Sequence, residues 1–290
     1  MAEHRLAERP WRLLRTGARP GAFNMALDHA LLLRAEEELE RGGAPRPIFR
    51  LFAWDPPAIS IGRLQSESDV DLAACRREGV DVVRRPTGGR AILHWQEVTY
   101  SMVVPLSLLG REMGIIASYR MLCEGLLAGL RLLGINAALA RGKAREPRWG
   151  EGSAACFAVA SRCDAVVDGR KLLGSAQARR RGVLLQHGSL PLLPRAAREL
   201  KLLRCASPAE ESGRATVADV LGRVPQFEEV AQALVAGLRE TWGIALVADE
   251  PSAAELELAE QLISEALIVD ADGAEAAGES FDSKDRVVLD

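Results

Sequence analysis

The stretch "CDAVVDGRKLLGSAQARRRGVLLQHGSLPLL" (residues 163–193) sets two strand-like runs on either side of Asp168-Gly169, then a third after Gly182. Asp-Gly between two apolar runs favours a tight primed turn, because its backbone twist matches that of the strands it joins. Residues 163–176 therefore read as a hairpin, and "GVLLQHGSLPLL" (182–193) reads as a further strand.

Working outward, "NMALDHALLLRAEEELERGG" (24–43) has apolar residues at helical spacing, with Asn24 expected as cap and Gly42 as stop. "PIFRLFAW" (47–54) and "AISIG" (58–62) are strand-like and separated by the breaker "DPP". "SDVDLAACRREG" (68–79) reads as a short helix capped by Ser68 or Asp69. "VDVVRRPTGGRAILHWQEVTYSMVVP" (80–105) alternates strand-like runs around a Gly-Gly loop, and "ASYRMLCEGLLAGLRLLG" (117–134) is a longer helix. Beyond Pro194 the pattern is mostly helical. The sum is an α+β fold of mostly antiparallel sheet surrounded by helices. The division expected is a catalytic domain over 1–245, a helical segment over 246–268 and a flexible acidic tail over 269–290.

The 48% hydrophobic and 27% charged content of the 290 residues is that of a soluble globular chain. A net charge of −3 argues against a broad nucleic-acid-binding surface, and no apolar run is long enough to cross a bilayer. The N-terminus carries acidic residues and lacks the continuous apolar core of a secretory signal. Five cysteines, at 75, 123, 156, 163 and 205, have neither zinc-site nor disulfide-framework spacing. Free thiols in a reducing cytoplasm, with no metal, are expected.

In "RRPTGGR" (84–90), Gly88 and Gly89 let the backbone approach a ligand closely, with Arg84 or Arg85 supplying positive charge. By itself this reads at least as well as a plain turn. His94 and His187 are secondary candidates, since a lone strand histidine is more often a hydrogen-bonded structural residue than a catalyst. Cys156 lies among small residues in "GSAACFAVAS" (152–161), open to a substrate. A thiol becomes a useful nucleophile when nearby positive charge favours its thiolate, and Lys171, at the start of the second hairpin strand, is the best-placed source. Lys171 leads into Gly174 and Ser175, where its ammonium can stabilise charge on a carbonyl oxygen. Residue types alone also allow a buried, inert Cys156 and a solvated Lys171.

The two long motifs, "RRPTGGRAILHWQEVTYS" and "GRKLLGSAQARRRGVLLQHGSLPL", resemble the signatures of the biotin/lipoate protein ligase superfamily. The first is similar to that of the lipoate-protein ligase and octanoyltransferase branch. "ACFAVAS" ahead of "DGRKLLGSAQ" resembles the cysteine-dependent octanoyltransferases. The resemblance spans roughly residues 11–242.

It implies a biotin/lipoate-ligase-like catalytic domain that moves an octanoyl group from octanoyl-acyl carrier protein to Cys156. A lysine of a lipoyl domain, such as the glycine-cleavage H protein, then takes the group as an amide. It also implies that Lys171 stabilises the oxyanion and that no cofactor is required. Arg85, Thr87, Gly88 and Gly89 would line the acyl pocket, with His94 at its edge and Gly174 and Ser175 beside it. A monomer without nucleic-acid or membrane partners is expected. The rivals are an ATP-dependent lipoate ligase, an amidotransferase drawing on octanoyl-H protein, and a non-catalytic acyl-binding module. The chain departs from the family pattern at Ala160 and Cys163, where proline and tyrosine are expected, and at Trp95, where an acid often follows the histidine. Cys163 is also a second thiol near the site.

Overall fold

The computed structural model describes residues 5–110, 113–140, 164–204 and 213–268. The chain opens with β1 (Trp11–Arg19), α1 (Gly21–Glu40), β2 (Ile48–Trp54), β3 (Ala58–Ile61) and α2 (Leu72–Arg77). Then come β4 (Asp81–Arg84), β5 (Ile92–His94), β6 (Glu97–Pro105), α3 (Ile115–Leu132), β7 (Ala138–Leu139) and β8 (Ala165–Val167). The rest is β9 (Arg170–Arg180), β10 (Val183–Pro191), α4 (Ala196–Leu202), α5 (Val217–Leu221), α6 (Phe227–Trp242), β11 (Leu246–Asp249) and α7 (Ala253–Ala266).

The hairpin forms at the expected place. Asp168 and Gly169 both have positive φ, 49° and 74°, as a primed turn requires, and β8 pairs antiparallel with β9. β10 then pairs antiparallel with both β9 and β6. The main sheet runs in the order β11-β1-β2-β6-β10-β9-β8-β7, antiparallel from β2 to β7 and parallel where β1 meets β2 and β11. A smaller sheet, β4-β3-β5, carries the Arg84–Arg90 loop between its outer strands.

Both faces of the main sheet are covered, and strand alternation decides which residue goes where. Tyr100, Met102 and Val104 join the core built with α3 and α6, whereas Val103, between them, joins the core under α1 and α7. Leu184 and Leu185 of β10 divide in the same way. Among the described residues, no helix is long and apolar enough to cross a membrane.

Three local expectations are corrected. α1 begins at Gly21 after Pro20, so Asn24 lies inside the helix rather than capping it. Its side chain is spent on tertiary contacts: Nδ2 donates to the Arg19 and Ala53 carbonyls, and Oδ1 accepts from Arg50. The helix expected after Ser68 or Asp69 starts later, where Asp71 accepts a hydrogen bond from the Ala74 N–H. Segment 246–268 opens with a strand, because β11 finds the exposed edge of β1 before α7 begins. Residues 269–290 lie outside the described residues.

Candidate active site

An empty volume of about 370 Å³ lies between the small sheet, α1 and the β9–β10 strands. Met25, Trp54, Ile92 and Ala176, with the strands at Gly174 and Gly188, give it an apolar lining. Ser60, Arg85, His94, Thr99, Ser175 and His187 also border it. The chemistry is that of a pocket for a small, mostly apolar group.

His94 ends β5 and is sandwiched in place. Its ring stacks on Trp54 at 3.9 Å, its Nδ1 stands 2.8 Å from Oε1 of Glu97, and its Nε2 stands 2.8 Å from the Ser60 hydroxyl. Facing a carboxylate fixes Nδ1 as the donor. Burial lowers the His94 pKa, and the Glu97 carboxylate only partly offsets this. Glu97 is itself buried, which opposes its charge. His94, Arg195 and the Ser189 hydroxyl outweigh that penalty and bring its pKa down to about 2. The acid absent at position 95 is thus supplied by Glu97, three residues after the histidine.

A second relay crosses the sheet. Thr87 Oγ1 stands 2.6 Å from His187 Nε2, and His187 Nδ1 stands 3.0 Å from Asp28 Oδ2 on α1. Asp28 also accepts from Ser101 and from Arg50, both at 2.7 Å, and Asp28 and Arg50 are wholly buried. Burial works against the Asp28 charge, but Arg50 and His187 prevail and its pKa is lowered. This chain of bonds clamps the Arg84–Arg90 loop to the main sheet.

Arg85 is fixed from several directions. Its guanidinium donates to the Gly88 carbonyl, the Arg90 carbonyl and Ser60. Gly88 and Gly89 are exposed and do not border the cavity; they shape the loop around Arg85 instead. A Cβ at Gly62 would fall 2.0 Å from the Gly89 carbonyl oxygen, so only glycine permits this backbone approach.

Lys171 lies three residues before Gly174 on β9, is almost fully buried, and pairs with Asp164 at 2.8 Å. It does not border the cavity. Ser175, which does, is within 2.6 Å of the Tyr100 hydroxyl. Cys156, Cys163 and Cys205 lie outside the described residues; Cys75 and Cys123 are buried, and burial pushes the Cys75 thiol up to about 12.

The structure thus brings Arg85, His94, Gly174 and Ser175 to one cavity, with Thr87 bonded to a residue of its wall. Sequence reasoning missed Met25, Trp54, Ser60 and the two carboxylates, Asp28 and Glu97. The available signal was a single acid inside each of two apolar runs, "MALDHALLL" and "VTYSMVVP" with its preceding Glu97. A charge at such a position is costly unless paired.

The fold is that of a lipoyl protein ligase catalytic domain. The chain belongs to the lipoyl protein ligase A/B catalytic domain family, whose pattern matches residues 20–239. It is 43% identical to octanoyltransferase LipM of Kyrpidia tusciae, over 89% of this chain and 96% of that one. It is 42% identical to octanoyltransferase LipM of Symbiobacterium thermophilum, over 88% and 95%. Lipoate-protein ligase A in a structure bound with ATP has the same fold, with a TM-score of 0.71 and 24% identity over 89% of this chain and 94% of that one. A bi-partite lipoate protein ligase from Thermoplasma acidophilum superposes with a TM-score of 0.67 at 24% identity, over 89% and 93%.

Proposed function

We propose that the chain is a protein octanoyltransferase of lipoate biosynthesis that works through a thioester on Cys156. Octanoyl transfer is supported by the octanoyltransferases to which the chain is 36–43% identical over most of its length. The observation that carries the rest is the apolar cavity beside Gly174 and Ser175, on the strand that also bears Lys171.

In this reading the octanoyl tail occupies the cavity and its carbonyl carbon lies towards Cys156. The Cys156 thiolate attacks the thioester of octanoyl-acyl carrier protein. A new C–S bond forms, and the carrier's thiol leaves with a proton. The ε-amine of a lipoyl-domain lysine, for instance on a glycine-cleavage H protein, then attacks the Cys156 thioester. The amide forms, Cys156 leaves as thiolate, and the amine's proton goes to solvent or to that thiolate. Exchange between thioesters is nearly balanced and amide formation runs downhill, so neither nucleotide nor other cofactor is required. The Lys171 ammonium stabilises the oxyanion in both steps. Asp164 keeps that ammonium oriented. Arg85 and His94 border the pocket, Thr87 holds His187 of its wall, and Gly88 and Gly89 shape the loop that fixes Arg85. We also propose that the protein works as a cytoplasmic monomer, where a thiol nucleophile stays reduced.

Intact-mass spectrometry after mixing with octanoyl-acyl carrier protein tests this. The wild type should gain one octanoyl mass without ATP, and Cys156→Ser should gain none. Acyl mapped to Cys163 would move the nucleophile. A strict need for ATP with free octanoate or lipoate would make the protein a ligase.

A further inference from the structure

Two hollows meet at α1. A wider groove lies next to the apolar cavity. The two share only Met25 and Arg85 among their lining residues. The groove side carries the charged groups Arg63, Arg84, Arg180 and Glu265 between apolar residues such as Leu32, Ala178 and Leu262. On the cavity side Met25 faces Trp54, Ile92 and Ala176. The two hollows therefore meet at one thioether and one guanidinium.

These two side chains are not equally able to give way. Arg85 is tethered to Ser60, Gly88 and Arg90 by hydrogen bonds of 2.8 to 3.2 Å, so moving it would strip a buried charge of its partners. Met25 is 2% exposed, unbranched, and held only by packing. It is the removable part of the wall.

The two hollows also lie in order along β9. Lys171 comes first, the cavity touches Gly174, Ser175 and Ala176, and the groove touches Ala178, Arg179 and Arg180. A chain whose carbonyl lies at the Lys171 end thus points its methyl end towards Met25. Each methylene buried in an apolar slot favours binding only about fourfold, so burial alone selects chain length weakly. A fixed end wall selects sharply, because the next carbon must displace packed atoms.

We infer that Met25, backed by the immobile Arg85, is the end wall that sets the length of the acyl chain this protein accepts. The inference rests on the proposed use of the cavity for an acyl tail.

The test is acylation of the full chain by hexanoyl, octanoyl, decanoyl and dodecanoyl carrier protein, comparing kcat/KM across lengths for wild type, Met25→Ala and Met25→Phe. Met25→Ala opens the cavity into the groove. It should raise the decanoyl-to-octanoyl ratio by about tenfold or more, because the longer tail no longer has to displace a packed side chain. Met25→Phe should shift preference towards hexanoyl. Opposite shifts from the two variants cannot come from general loss of folding, and thermal melts identify a variant that has not folded. Should one variant fail to fold, the other decides. Ratios within about twofold of wild type in the folded variants would overturn the end wall while leaving octanoyl transfer intact. Calorimetric titration with free octanoate and dodecanoate separates the two ideas further. A wild type that neither binds octanoate nor takes up the octanoyl group would remove the acyl-pocket reading, and the wall with it.

Discussion

Oδ2 of Asp28 and Nδ1 of His187, 159 residues apart in sequence, stand 3.0 Å from one another beneath α1. Through this contact the Arg84–Arg90 loop, held by Thr87 on the far side of His187, is tied to a buried charge on the helix. Asp28 also compensates Arg50, and neither side chain has any exposure. Asp28→Asn should therefore leave Arg50 charged without its counter-ion, at a cost of about 3–5 kcal/mol. Urea unfolding measures it. A loss below about 1 kcal/mol would mean that Asn24, Thr16 and the Asn24 carbonyl suffice to hold the guanidinium.

The His94 environment makes a claim about pH. Burial lowers its folded pKa below the ordinary 6.5. Below that pH the unfolded chain binds a proton at this site that the folded chain refuses, so stability falls as pH drops from 6.5 towards the folded value. Glu97 acts lower down. Its stabilising charge is fully present above about 4.5 and is lost as pH falls towards about 2. Replacing His94 by Gln should flatten the change in urea midpoint between mildly alkaline and mildly acidic buffer, while a smaller loss at strong acid remains through Arg195 and Ser189. An unchanged slope in the variant would show that other groups, His29 among them, set the dependence.

Lys171 and Asp164 offer a way to separate folding from catalysis. Lys171→Met removes the ammonium from a buried ion pair and should destabilise the protein by about 3–5 kcal/mol. The double variant Lys171→Met, Asp164→Asn removes both charges and should recover most of that loss. Octanoyl uptake on Cys156, read by intact mass, should stay absent in both. Restored uptake in the double variant would reduce Lys171 to a structural role.

Much of this protein was legible locally. Asp168-Gly169 set the hairpin because a primed turn needs two residues tolerant of positive φ. The long helices followed from apolar spacing, and the motifs around Arg85, His94 and Lys171 pointed to the family. Start points failed where a side chain had a better use elsewhere, as Asn24 did in bonding Arg50 instead of capping a helix. The partners of the site were not legible at all. Nothing in sequence links Asp28 to His187, Ser60 to His94, or Met25 to the boundary between two hollows. Turn type and hydrophobic period are properties of neighbouring residues, so the sequence by itself determines them. Which buried charge meets which imidazole depends on how helix and sheets pack in space, and that packing alone decided the walls of the cavity.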